Sequence, residues 1–110
     1  MDYEESRLLL DLIRQAGNDN DEDWMKLYNH FLEQAVNYAT ARTRFFFVTL
    51  KEIGEANKRR TELHDAFIIS IHTLVNYAKS KGYNTLWAAI LERDRRDIGD
   101  FASFYTPLLE

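Results

Sequence analysis

Cysteine is absent from the 110 residues, proline occurs once and glycine four times. Without cysteine there is no disulfide, no thiolate metal site and no thiol nucleophile. That absence also fits a reducing compartment. Long apolar runs are missing too. The longest, Phe45-Phe46-Phe47-Val48, falls far short of the ~20 residues of a membrane span. The first residues, Met1 to Arg14, lack the basic flank and small-residue cleavage site of a secretory leader. No stretch keeps a period of two, which argues against a sheet. What is present is apolar and aromatic. Hydrophobic residues make up 45% and aromatic ones 14%, enough for one packed core and too much for a disordered chain. A single domain over 1–110 is expected, working in the cytoplasm, with no cofactor and no membrane association.

Charge is unevenly placed. Residues 1–23 hold eight acids and two bases, a net of −6, although the whole chain carries only −4. The remainder is therefore mildly basic, at +2. The acids are the kind that cap helices, and a first helix so charged can also shield a basic face.

Helical spacing runs along the chain. Leu9, Ile13 and Ala16 mark one face of a first helix over 3–16, widened by Leu8 and Leu12, and Gly17 suits a left-handed cap. Asn20 or Asp21 can cap a second helix from 21 to about 50. Its stripe is Trp24, Tyr28, Phe31, Ala35, Tyr38, Arg42 and Phe45. The third, roughly 56–80, is the most apolar. Phe67, Ile71 and Leu74 lead its stripe, which places it at the centre of the fold. Asn84 can cap a fourth helix holding Leu86, Trp87, Ile90 and Leu91. Ile98, Phe101, Ala102 and Tyr105 give a last helical face that Pro107 should end. The fold class is all-α: a single-domain bundle of four helices, or five if the last is broken, mostly antiparallel.

Catalytic patterns fit poorly. Asp19, Asp21 and Asp23 begin like a calcium loop. Trp24 then stands where the turn needs glycine, and His30 where a bidentate glutamate is needed. His64 and His72 are eight apart and face different ways on a helix. Glu52, Glu55, Glu62 and Asp65 have the acidic spacing that can hold magnesium, as in all-α nucleotide pyrophosphohydrolases. There the two pairs lie on separate helices with a longer gap. A magnesium-dependent nucleotide-processing enzyme using these four is the alternative reading. Ala78-x-x-x-Gly82 with Thr85–Leu91 resembles a helix-turn-helix. Its groove-facing positions near Leu86, Ala89 and Ile90 are apolar, however, and read as core. Nucleic-acid association is a second alternative, opposed by the net negative charge.

Arg60, His64 and Asp65 lie within one turn and form a candidate polar cluster, with His64 expected to meet an acid or a carbonyl. Three basic patches stand out: Arg42, Arg44, Lys51; Lys58, Arg59, Arg60; and Arg93, Arg95, Arg96. Where the first and third meet in space, they would suit an acidic partner. Phe45, Phe46 and Phe47 point about 100° apart on a helix, so one core cannot take all three. With Phe101, Phe104 and Tyr105 they form a candidate interface. Either the C-terminal segment covers the three phenylalanines, or a second copy does, as in a homodimer.

Arg59-Arg60, His64-Asp65, Ile68, Asn76-Tyr77-Ala78 and Asp97-Ile98-Gly99-Asp100-Phe101-Ala102 together resemble a family of small all-helical bacterial proteins without assigned function, often encoded near mobile elements. The resemblance covers the second half of the chain. It implies a helical bundle in a bacterial cytoplasm and carries over no catalytic residue. The expected function is a small interaction or regulatory module with an unidentified protein partner.

Overall fold

A computed structural model describes residues 2–18 and 20–109, and side chains through Ser103. Five helices follow in order: α1 Tyr3–Gln15, α2 Glu22–Phe45, α3 Ile53–Lys81, α4 Trp87–Arg93 and α5 Arg95–Leu109. No strand occurs among the described residues. The fold is all-α, with the last apolar stretch broken into two helices at Asp94.

Local chemistry sets most boundaries. Asp2 caps α1 by accepting from the Glu5 amide at 2.8 Å. Asp21 caps α2 by accepting from the Trp24 amide at 3.1 Å. Glu22 and Asp23 follow at the positive end of the α2 dipole. Gly82, at φ 72°, closes α3 in the left-handed conformation that glycine adopts without strain. The Asn84 side chain accepts from the Leu86 amide at 2.8 Å and turns the chain into α4.

Four boundaries differ from the sequence reading. Helix α1 ends in right-handed backbone at Ala16, and Gly17 has no positive φ. Gly17 is required for a different reason: a Cβ there would lie 2.3 Å from the Trp24 ring. Helix α2 stops at Phe45, short of 50. Its last turn tightens through bonds from Phe46 to the Thr43 carbonyl and from Phe47 to the Arg44 carbonyl. The run Phe-Phe-Phe-Val-Thr carries only modest helix propensity, so little favours continuation. Helix α3 begins at Ile53, which puts Gly54 in its first turn, where there is nothing for a side chain to pack on. Helix α5 runs past Pro107 to Leu109. A proline this close to a helix end forfeits one backbone bond without preventing the final turn.

The direction of packing follows from paired contacts. The Trp24 indole donates to the Arg14 carbonyl at 3.1 Å and the Tyr28 hydroxyl to the Leu10 carbonyl at 3.3 Å, so α1 runs antiparallel to α2. Trp24 stacks on Tyr77, Phe31 on Phe67 and Tyr38 against His64, so α3 is antiparallel to α2 as well. Gly99 of α5 sits against α2, where a Cβ would come 3.3 Å from the Ala35 carbonyl oxygen. The missing side chain lets these two helices approach closely.

The centre is therefore α2, not α3. Helix α2 packs against α1, α3 and α5, whereas α3 packs chiefly on α2. Phe67, Ile71 and Leu74 are buried as their stripe predicts, but Ile69 on the opposite side is exposed. The neighbouring Ile68 and Val75 are only partly buried against the core, so α3 is covered on one side. The molecule is elongated, 48 by 26 by 26 Å. One end gathers α1, α4 and the start of α2. The other is the bare hairpin formed by the end of α2 and the start of α3. Among the described residues no helix is long and apolar enough to cross a membrane.

Two substitutions test this packing. Phe67→Ala should destabilise the fold by about 3–5 kcal/mol in urea melts, since its ring is fully buried between Phe31 and Tyr38. Gly17→Ala should also destabilise measurably although its backbone is ordinary, because the Trp24 ring must move. A neutral Gly17→Ala would contradict the packing described.

Candidate functional site

Four features were expected from the sequence, and they behave differently. Glu52, Glu55, Glu62 and Asp65 lie on or just before α3 and are all exposed. Thirteen residues of helix separate the first from the last, about 20 Å at 1.5 Å per residue. One helix cannot bring them to a point. Among the described residues no group of three or more His, Asp or Glu side chains is placed to hold a metal.

The helix-turn-helix positions are not core. Leu86 is 83% exposed, and Ala89 and Ile90 also face outward, while Trp87 and Leu91 are buried. A seven-residue α4 has room to bury only one side.

The aromatic interface set divides. Phe45 is half-buried under the Arg60 guanidinium, 4.0 Å from its ring centroid. Phe46 and Phe47 are 73% and 82% exposed. Phe101 is buried, with Tyr3 tilted against its ring at 5.7 Å, so it faces the core and not a partner. The side chains of Phe104 and Tyr105 lie outside the described residues. Around Phe46 and Phe47 stand Leu50, 89% exposed, and Ile53, also exposed. The helix ends too early to bury these four, and the turn presents them together. Residues 40–61, which contain that turn, carry six bases and two acids, a net of +4. The acidic first segment flanks the other end of α2.

The polar cluster is real and larger than Arg60, His64 and Asp65. His64 Nδ1 lies 3.3 Å from the Asp65 carboxylate, the acid contact expected of it. Arg60 donates to the Asn57 side chain at 2.7 Å. Beside them come Tyr38 and Arg42 from α2 and Arg96 from α5, which with Thr61 line one pocket. The first and third basic patches thus meet, at Arg42 and Arg96. Arg42 is ion-paired with Asp100 across α2 and α5, and its guanidinium lies over the Tyr38 ring at 5.5 Å. Its Nη1 is buried with no hydrogen-bond partner among the described residues. Arg96 has no ion pair among them. Arg42 and Arg96 are 54 positions apart, so no local motif could join them; the basic patches were the available signal.

At the far end, Asp21 does more than cap. Its carboxylate also accepts from the Tyr77 hydroxyl at 2.8 Å and the Tyr83 hydroxyl at 2.5 Å. Neither tyrosine was paired with Asp21 by sequence spacing. The Tyr83 hydroxyl, helped by those of Tyr77 and the Trp24 amide, holds the Asp21 carboxyl below its usual range against the opposing effect of burial. Burial and the Asp21 contact push the Tyr77 phenol up to about 12.

Compared with protein-family models, curated proteins and solved structures, the chain finds no match.

The Asp21 network makes stability depend on pH at both extremes. Unfolded aspartate titrates near ~3.9 and folded Asp21 below that, so stability should fall as pH drops below about 4. Unfolded tyrosine titrates near ~10 and folded Tyr77 near 12, so stability should also fall as pH rises between them. Asp21→Asn should shrink both losses in urea midpoints taken across pH. Acid and alkaline limbs unchanged from wild type would contradict the network.

Proposed function

We propose that this chain is a small interaction module of the bacterial cytoplasm whose working surface is the α2–α3 hairpin end. The observation that carries the reading is the exposure of Phe46, Phe47, Leu50 and Ile53 together. Large apolar side chains clustered in this way are a common mark of an association surface. The four carboxylates of the enzyme reading are strung along α3 and its N-cap and do not converge.

A second copy of the chain is the occupant best supported. Tip-to-tip pairing would bring two basic hairpins together, and like charges oppose that. Antiparallel pairing does the reverse. It sets the acidic first segment of each copy beside the basic hairpin of the other, and the arrangement closes with two-fold symmetry. Leu8 and Leu12 are exposed on α1 and supply apolar surface on the acidic side.

Light scattering from micromolar to millimolar concentration tests the reading. A mass twice that of the chain is expected, with dissociation favoured by salt because the contact is charged. Phe47→Asp should weaken association by roughly tenfold to a hundredfold, the range of an interface anchor. A monomer at every concentration would remove the second copy as occupant.

A further inference from the structure

The cationic pocket between α2, α3 and α5 supports an inference beyond association. Arg42, Arg60 and Arg96 line it together with Tyr38, Thr61 and His64. Asp100 neutralises one of the three arginines. The three arginines come from three different helices, and the Asp65 carboxylate against the His64 imidazole offsets part of the charge that remains. Arginine presents a planar fork of donors that matches tetrahedral oxyanions. The Nη1 of Arg42 is a buried donor without a partner among the described residues, and such donors are uncommon because their desolvation is uncompensated. Arg42 is held by Asp100 and by the face of Tyr38, so its guanidinium is oriented before any ligand arrives. Arg60 is held in the same way by Asn57 and the ring of Phe45.

We propose that this pocket binds a phosphate group, carried by a small molecule. Arg42 and Arg60 supply pre-oriented charge, Arg96 closes the pocket from α5, and Thr61 adds a neutral donor. The ligand would tie α5 to the α2–α3 hairpin, so binding should stabilise the fold as well.

The test is an NMR titration at constant ionic strength set by chloride, with inorganic phosphate in one arm and a nucleoside monophosphate in the other. Saturable shifts confined to the amides around Tyr38, Arg42, Arg60, His64 and Arg96 are expected. Equal affinity in both arms means that the phosphate group alone is recognised. Tighter binding of the nucleotide means that its base also finds surface beside the pocket. Arg96→Gln and Arg60→Gln should each weaken binding by roughly tenfold to a hundredfold, as charged hydrogen bonds are lost. Lys58→Gln removes one charge from the same hairpin outside the pocket and should leave binding unchanged. Non-saturating shifts in both arms would overturn the proposal. So would shifts spread over the hairpin, or equal weakening by Lys58→Gln.

Discussion

The contact on which the rest depends is the one between the Asp21 carboxylate and the groups that converge on it. A single side chain caps α2 through the Trp24 amide and receives hydroxyls from Tyr77 at the end of α3 and Tyr83 just beyond it. Trp24 sits in the same place, stacked on Tyr77, edge-on to Tyr83 and tilted against Trp87. It reaches back to α1 through the Arg14 carbonyl. Four helices are therefore registered around one residue pair. Buried apolar area drives the collapse without choosing a register. The directional bonds at this end choose it.

Fixing one end leaves the other determined by length alone. Helices α2 and α3 run on beyond the shelter of α1 and α4, and past that point each has chiefly the other to pack on. This geometry explains why the apolar run at 45–48 is not absorbed into a core. It also explains why basic residues accumulate there, since a sparsely packed hairpin keeps their charges solvated. The pocket at Arg42, Arg60 and Arg96 lies where α5 crosses the base of this arm. There charge on the arm meets a third helix.

Much of the architecture was legible because helices advertise themselves by period. The stripes on α1, α2 and α3 identified Leu9, Ile13, Trp24, Phe31, Phe67 and Leu74 as core, and all are buried. Periodicity says that a face is apolar but not what covers it. Leu86 read as core for that reason and faces outward, and α3 read as central although α2 is. Capping chemistry is local, so the sequence narrowed the α2 cap to Asn20 or Asp21, and Asp21 is the one that caps. Its two tyrosine partners come from residues 56 and 62 positions away, where spacing carries no information. Gly17 shows the same limit. Its backbone is unexceptional, and only the indole beside it explains the absence of a side chain.

The central claim is that Asp21 holds the two ends of the long helices in register while the hairpin stands apart. Native-state amide hydrogen exchange in wild type and Asp21→Ala tests it most directly. In wild type, protection should be greatest near Phe31, Ala35, Phe67 and Ile71 and should decline toward residues 43–56. In Asp21→Ala, protection at 22–28 and 77–83 should drop toward the hairpin's level, with the hairpin itself little changed. Equal protection of those two segments in both proteins would contradict the account.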